Sequence, residues 1–145
     1  MSMDKTRGNS LLEMLLVCGF IGSVSTWGLF MFQGIAEQHK LHLAGEAFLS
    51  AVTAARVQAV AKNLAIQIRV HSNRRKFGVA MKDAEPQVWQ DLPSGVEFSK
   101  VPGKPPTFYS RSYASPAGTF ILENSRGQIR VIVSLSGRVR WQREH

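Results

Sequence analysis

An apolar run near the N-terminus, Leu11–Phe32, places the strongest constraint on this chain, because Glu13 is the one charged residue within it. As a helix rising about 1.5 Å per residue, the run would measure roughly 33 Å, about the thickness of a membrane's hydrocarbon core. A cleaved secretory signal is the competing interpretation. Such a signal needs small residues after its apolar part, whereas Trp27 and Phe32 stand there. The run is therefore predicted to be a retained membrane helix.

The residues before the run predict its orientation. Lys5 and Arg7 precede it, and basic residues mark the end of a membrane helix that stays in the cytoplasm. The remainder of the chain is then exported. Cys18, the single cysteine, lies inside the apolar run, so no intrachain disulfide can stabilise the exported part. The exported fold must depend on side-chain packing and strand pairing.

Glu13 needs an explanation, because a carboxylate in a membrane helix is costly and calls for a partner. Its surroundings, basic residues, Gly8 and then Ser10-Leu11-Leu12-Glu13-Met14-Leu15-Leu16-Val17, resemble the class III signal of type IV prepilins and type II secretion pseudopilins. In that family a prepilin peptidase cuts after the glycine and methylates the new N-terminus. The glutamate then pairs with the N-terminal amine of a neighbouring subunit. An ordinary signal-anchor helix is the alternative.

The resemblance implies a role for three residues. Gly8 would precede the cleavage, Asn9 would become the new N-terminus where the family usually has phenylalanine, and Glu13 would serve assembly. It also implies other pilins or minor pilins as partners. Before assembly the chain would cross the inner membrane once, with its C-terminal domain in the periplasm, and after assembly it would reach the cell surface in a pilus.

Beyond the membrane segment, apolar residues recur at intervals of three and four between Ile35 and Lys62, which indicates an amphipathic helix. They are Leu41, Ala44, Ala47, Phe48, Ala51, Val52, Ala55 and Ala59. After Asn63 the period changes to two, which predicts strands. The expected fold class is α+β and type IV pilin-like, with a long N-terminal helix packed on a C-terminal antiparallel sheet. The expected parts are a leader at 1–8, a transmembrane and assembly helix at 9–33, its amphipathic continuation at 34–63 and a β-rich head at 64–145.

The strand region begins with a clear hairpin and becomes less regular. Apolar residues alternate from Ile66 to Val70 and again from Phe77 to Met81, with a polar turn between the two runs. Val88-Trp89 and Val96-Glu97-Phe98 are weaker candidate strands. Residues 100–116 are rich in proline and are predicted to be a long loop, whose candidate core residues are Phe108, Tyr109 and Tyr113.

The charge of the chain limits its partners. The exported part carries the whole formal charge of +8, because Lys5 and Arg7 are balanced by Asp4 and Glu13. Such a surface favours polyanions, either nucleic acid or anionic lipid, unless it is simply a basic surface. His39, His42 and Glu46 have a spacing that could hold a metal, but a solvated helix face is the preferred interpretation. No catalytic arrangement or cofactor motif is found, so the chain is predicted not to be an enzyme.

Motifs beyond the membrane segment make the resemblance to a particular group more specific. Ala54-Ala55-Arg56, Gly118-Thr119-Phe120 and Val133-Ser134-Leu135-Ser136-Gly137-Arg138-Val139-Arg140 resemble the FimT/GspH group of minor pilins and pseudopilins. FimT-type members are implicated in DNA capture during natural transformation through a Gly-Arg-x-Arg motif, which Gly137-Arg138-Val139-Arg140 matches. GspH-type members are instead structural subunits of a type II secretion pseudopilus. The resemblance therefore implies either a DNA-binding minor pilin or a structural subunit that helps to start a filament.

Two hairpin registers are possible at this motif. A two-residue loop at Ser136-Gly137 would mix apolar and charged side chains on one surface. A three-residue loop, Leu135–Gly137 with Gly137 in the left-handed conformation, separates them and is preferred. It buries Val131, Val133, Val139 and Trp141 and turns Arg130, Arg138 and Arg140 to the other face.

Arginines that share one strand pair repel each other unless anions or solvent screen their charges. Phosphates suit this surface, because each guanidinium offers a planar fork for two oxygens. The sequence therefore predicts that Arg138 and Arg140 contact the phosphates of duplex DNA without sequence preference, with Arg130 and Arg143 in support. A solvated sheet face without a ligand is the alternative.

Overall fold

The structure, a computed structural model, describes the backbone of residues 6–144 and the side chains of residues 10–28 and 34–143. Helix α1 spans Thr6–Lys62, and the chain divides after Ala36 into two compact units. In the first unit, the 19 residues Ser10–Gly28 are exposed and, by length and composition alone, are apolar enough to cross a membrane. Most of the predicted leader lies outside the described residues.

In the second unit, α1 buries most of the apolar residues that the sequence singled out. The fully buried ones are Leu41, Ala44, Phe48, Val52, Ala55 and Ala59. Ala51 is half-buried and packs against this core. Ala47 is exposed, contrary to the prediction. It precedes Phe48 by one residue and so lies about 100° further round the helix than the side chain that defines the buried face.

Phe48 is the centre of the core. Its ring meets those of Phe77 and Phe98 at centroid distances of 5.1 Å and that of Phe120 at 4.9 Å, all edge to face. These three partners come from different strands, so a single helix residue joins the helix to both halves of the β region. Helix α1 also approaches Ile129 of the β region closely at Gly45. A Cβ atom at position 45 would lie 2.9 Å from Cδ1 of Ile129, so this close approach depends on a small residue.

Within the part of the chain that the structure describes, nine strands follow the helix. In chain order they are β1 (Ile66–Val70), β2 (Lys76–Met81), β3 (Gln90–Asp91), β4 (Glu97–Lys100), β5 (Thr107–Phe108), β6 (Ala114–Ser115), β7 (Gly118–Asn124), β8 (Gly127–Val133) and β9 (Val139–Glu144). They form a five-stranded sheet in the order β3-β2-β1-β5-β6 and a four-stranded sheet in the order β4-β7-β8-β9. Every strand pairing that the structure describes is antiparallel.

The predicted α+β class is confirmed, since a long N-terminal helix packs on antiparallel strands and no helix interrupts residues 63–144. The predicted hairpin is confirmed as well, because β1 and β2 pair with Ile68 opposite Val79. The single predicted sheet is wrong, because residues 100–116 contain β5 and β6, which complete the first sheet. That segment is therefore not one long loop.

The candidate strand at Val88-Trp89 is also wrong, because the pairing residues are Gln90–Asp91 and Val88 is 73% exposed. Instead, the segment before β3 covers the side of β2 that is turned away from the hydrophobic core. A Cβ atom on Gly78 would lie 2.6 Å from Cβ of Pro86. Glycine at position 78 therefore allows this cover to rest directly on the strand.

The two sheets share one hydrophobic core. Ile68 and Phe108 of the first sheet and Val131 and Val133 of the second belong to the same cluster as the buried face of α1. A main-chain hydrogen bond of 3.0 Å, from Ala114 N to the carbonyl oxygen of Leu135, joins β6 to the loop between β8 and β9. We use the term outer face for the side of each sheet that is turned away from this core.

Candidate nucleic-acid interface

The hairpin formed by β8 and β9 has the predicted register. Val133 lies opposite Val139, and Val131 lies opposite Trp141. Ser134 N donates to the carbonyl oxygen of Arg138, and Gly137 N donates to that of Ser134, both at 2.9 Å. The loop is thus Leu135–Gly137, three residues long, and Gly137 has φ of 71°. The prediction of a left-handed glycine that closes this loop is confirmed.

The hairpin loop is held against a second loop and the helix. Gly137 is buried, and a Cβ atom there would overlap the carbonyl oxygen of Ser112. Ser112 has φ of 64°, and its hydroxyl accepts a hydrogen bond of 2.8 Å from Nε of Arg56. Arg56 on α1 thus fixes Ser112, and Ser112 fixes the residue that precedes Arg138.

Alternation along β8 and β9 separates core residues from charged ones. Val131 and Val133 are fully buried and Val139 packs against the core, as predicted. Trp141 was predicted to be buried, but it is 40% exposed. It lies on the edge strand of the sheet, where its ring contacts His42 at a centroid distance of 5.6 Å.

Arg138 and Arg140 are exposed on the outer face. Alternate residues of a strand are about 6.6 Å apart, so the two guanidinium groups extend from neighbouring positions on the same side. Arg140 lies opposite Ile132, which puts half-buried Arg130 at the diagonal position, roughly 7–8 Å away. We call Arg130, Arg138 and Arg140 the arginine face. The structure thus brings together three of the four predicted DNA-binding arginines.

Arg143 is not part of this group. It lies opposite buried Ile129 and two positions after Trp141, so its side chain leaves the opposite side of the strand from Arg138 and Arg140. The sequence predicted that Arg143 supports these arginines at the end of the strand. The register contradicts that placement, because strand alternation assigns odd-numbered positions of β9 to the core side.

Several acidic residues of the second unit form ion pairs away from the arginine face. Glu37 pairs with Lys40, Glu85 with Arg69, and Asp91 with Lys76, at distances of 2.7, 2.8 and 3.1 Å. Within the part of the chain that the structure describes, no ion pair includes Arg138 or Arg140. Their charges are therefore left to an external anion or to solvent.

The other predicted residues lie apart from this surface. Glu13 lies on the exposed apolar helix of the first unit, whereas Gly8 and Asn9 precede the residues whose side chains are described. His42 pairs with Glu46 at 3.2 Å and His39 is exposed. Over the described residues, no group of three His, Cys, Asp or Glu side chains is arranged to hold a metal ion.

Sequence reasoning missed the part that three residues play at the surface, Arg56, Ser112 and Tyr113. Arg56 and Ser112 are 56 residues apart in the chain, and no local pattern signals that they meet. Tyr113 was predicted to be a core residue, yet it is 42% exposed. It alternates with buried Ala114 and so lies on the outer face. Tyr113, Ala114 and Ser115 do alternate with a period of two in the sequence. The prolines around them nevertheless favoured a loop, so the two-residue strands β5 and β6 were not predicted.

Solved structures of known proteins include similar chains. The type IV minor pilin FimU of Pseudomonas aeruginosa strain PAO1 is 19% identical, and the match covers 74% of this chain and 92% of that one, with a TM-score of 0.61. FimU in another crystal form is 20% identical over 70% of this chain and 92% of that one, with a TM-score of 0.58. The chain has the type IV pilin-like fold. The minor pseudopilin EpsH of the Type 2 Secretion System of Vibrio cholerae also shares this pilin-like fold, at 12% identity over 72% of this chain and 97% of EpsH, with a TM-score of 0.58. No protein-family model matches the chain, and no curated protein sequence does.

Proposed function

We propose that this chain is a minor pilin of a type IV pilus that binds DNA for uptake in natural transformation. The observation that carries the proposal is the exposure of Arg138, just before β9, and of Arg140, within it, on one side of the β8–β9 hairpin. Neither has an ion-pair partner among the described residues. Similarity to a minor pilin and a minor pseudopilin supports the pilin part. The Gly-Arg-x-Arg motif, which resembles that of FimT-type pilins, supports the DNA part.

The chemistry of the arginine face favours phosphates over bases. Guanidinium groups bind phosphate oxygens in a bidentate manner, and contacts to the DNA backbone carry no sequence information. Reading bases in the major groove requires a helix or a β-ribbon that fits the groove. Arg138 and Arg140 instead extend from the outer face of a four-stranded sheet. Binding should therefore be independent of sequence, which suits the uptake of arbitrary DNA.

The test is a titration of the full-length chain, held in an uncharged detergent, with duplex DNA at several salt concentrations. Each phosphate contact adds about one unit to the slope of log affinity against log salt. Arg138→Gln and Arg140→Gln should each weaken binding and lower this slope by about one unit. Exposed substitutions change stability by no more than about 0.5 kcal/mol, so the fold should persist.

Arg143→Gln is the matched control, because it removes the same charge from the same strand but on the other face. It should leave the salt slope nearly unchanged. Equal loss in all three variants would mean that net charge, and not the arginine face, governs binding. Wild-type binding that survives in the Arg138→Gln, Arg140→Gln double variant would place the DNA elsewhere.

The N-terminal half has a proposed role of its own. Residues 1–8 would be a leader removed by a prepilin peptidase, which leaves Asn9 as the N-terminus, and residues 9–33 would anchor the chain in the inner membrane. Residues 34–63 would continue the helix into the head at 64–145. Glu13 would pair with the N-terminus of a neighbouring pilin. The exposed apolar helix Ser10–Gly28 supports this proposal by its length and composition.

A structural subunit is the second candidate, because EpsH, which belongs to a secretion system, has a similar fold. In that case the chain would help to start a type II secretion pseudopilus and would not bind DNA. Absence of binding at physiological salt, even with many copies displayed together on one surface, would favour this candidate. Under both proposals the chain is not an enzyme.

A further inference from the structure

The loop between β5 and β6 presents two aromatic rings. Tyr109 N donates to the carbonyl oxygen of Tyr113 at 3.0 Å, and Ser112 N donates to that of Tyr109 at 2.9 Å. The tyrosine rings stack with centroids 4.8 Å apart and planes inclined by 13°. We call residues 109–113 the tyrosine loop. Tyr109 covers one face of the Tyr113 ring, and Tyr113 as a residue is 42% exposed.

The tyrosine pair lies on the outer face of its sheet. Phe108 and Ala114 lie opposite each other and are both fully buried. The next pair outward, Tyr109 and Tyr113, therefore projects to the other side. On the far side of Tyr109, the ammonium group of Lys82 is 6.0 Å from the ring centroid. The result is an aromatic surface with a cation at one end.

The tyrosine loop adjoins the arginine face. Ser112 contacts Gly137, which precedes Arg138, and the Ala114 to Leu135 hydrogen bond ties the strand after the tyrosine loop to the arginine hairpin. Both surfaces are turned away from the same core. Arg111, at the tip of the tyrosine loop, is exposed and adds a further cation. An exposed tyrosine thus belongs to the loop that contacts the residue before Arg138.

We propose that Tyr113 is a stacking platform for an unpaired base, so that the interface binds single-stranded DNA more tightly than duplex DNA. The arginine face would hold the phosphates and the open face of Tyr113 would receive the base. Stacking of bases on aromatic side chains beside cations that follow the backbone is the usual way in which proteins bind single strands without sequence preference. This inference rests on the proposed DNA-binding function.

Duplex DNA cannot use this platform, because each base inside a duplex is already stacked on both faces. Duplex and single strand would therefore share the phosphate contacts, while the contact to Tyr113 would belong to the single strand alone. The difference in affinity between the two forms isolates the tyrosine contribution from the arginine contribution.

The test measures the binding of a short oligothymidine strand, and of a duplex of equal length, to the full-length chain in an uncharged detergent. Tyr113→Leu keeps an apolar side chain but removes the ring, and Tyr113→Phe keeps the ring. Tyr113→Leu should lose roughly tenfold in affinity for the single strand and little for the duplex. Tyr113→Phe should bind both forms like the wild type. A strand that contains 2-aminopurine should lose fluorescence on binding to the wild type, and less on binding to Tyr113→Leu.

Three outcomes would overturn the inference. Equal loss for both DNA forms in Tyr113→Leu would mean that the ring only shapes the loop that holds Gly137. Unchanged single-strand binding in Tyr113→Leu, with duplex binding that still depends on Arg138, would refute the stacking role and leave the proposed function intact. Failure of the wild type to bind either form would overturn the proposed function, and the inference with it.

Discussion

At position 137 two separate physical constraints require glycine. The backbone there has φ of 71°, a conformation that residues with a Cβ rarely adopt. In addition, a Cβ atom would overlap the carbonyl oxygen of Ser112. The glycine of the Gly-Arg-x-Arg motif is therefore structural, since it lets the hairpin loop close and seats it on the tyrosine loop. Only the arginines that follow it are free to meet a ligand.

Gly137→Ala should consequently lower the free energy of unfolding and weaken DNA binding together. A residue with a Cβ in the left-handed region costs about 1–3 kcal/mol, and the overlap with Ser112 adds to this cost. The matched control is Gly103→Ala, because no atom lies within 4 Å of a Cβ there. Thermal unfolding followed by circular dichroism measures the difference. Equal melting temperatures for the two variants would show that the loop relaxes without cost.

Each strand of the β8–β9 hairpin serves two purposes at alternate positions. Its register was predictable from sequence, because only one loop length separates the valines from the arginines. The exposure of Trp141 was not predictable, because burial depends on what covers the strand, and β9 is an edge strand. The contact from Arg56 to Ser112 was also not predictable from the sequence, since 56 residues separate them.

The packing of helix α1 depends on Phe48, the one aromatic side chain among its buried aliphatic ones. Its apolar period was readable in the sequence. The four-phenylalanine cluster around Phe48 was not, because Phe77, Phe98 and Phe120 come from three different strands and the sequence did not reveal that β4 pairs with β7. The division into two sheets was missed for a related reason. Strands of two residues, such as β5 and β6, are too short to produce a period.

Phe48→Ala should destabilise the second unit by about 3–5 kcal/mol, the usual cost of removing a phenylalanine from a core. This is a large part of the roughly 5–15 kcal/mol that keeps a domain folded. Val57→Ala on the same helix is the control, because Val57 is 60% exposed and its loss should cost little. Chemical unfolding of both variants measures the two costs. A similar midpoint for both would mean that the neighbouring rings close the cavity.

For the whole molecule, the proposed export and assembly depend on the apolar helix of the first unit. We expect mass spectrometry to find Asn9 at the N-terminus in cells with an active prepilin peptidase. Glu13→Ala should leave insertion and cleavage intact, since it removes a charge from an exposed apolar segment. It should nevertheless prevent entry into the filament, because the partner of the neighbouring N-terminal amine is lost. A chain that still begins with Met1 would contradict the proposed processing.

The alternation in the β8–β9 hairpin has an evolutionary consequence. Core side chains and arginines share two strands but no positions, so natural selection can act on one set without disturbing the other. Substitutions at the exposed positions 138 and 140 alter stability only slightly. A lineage can therefore gain, tune or lose ligand binding through one or two codons while the fold stays intact. The same fold can in this way support either a ligand-binding or a purely structural protein, and each step between the two remains folded.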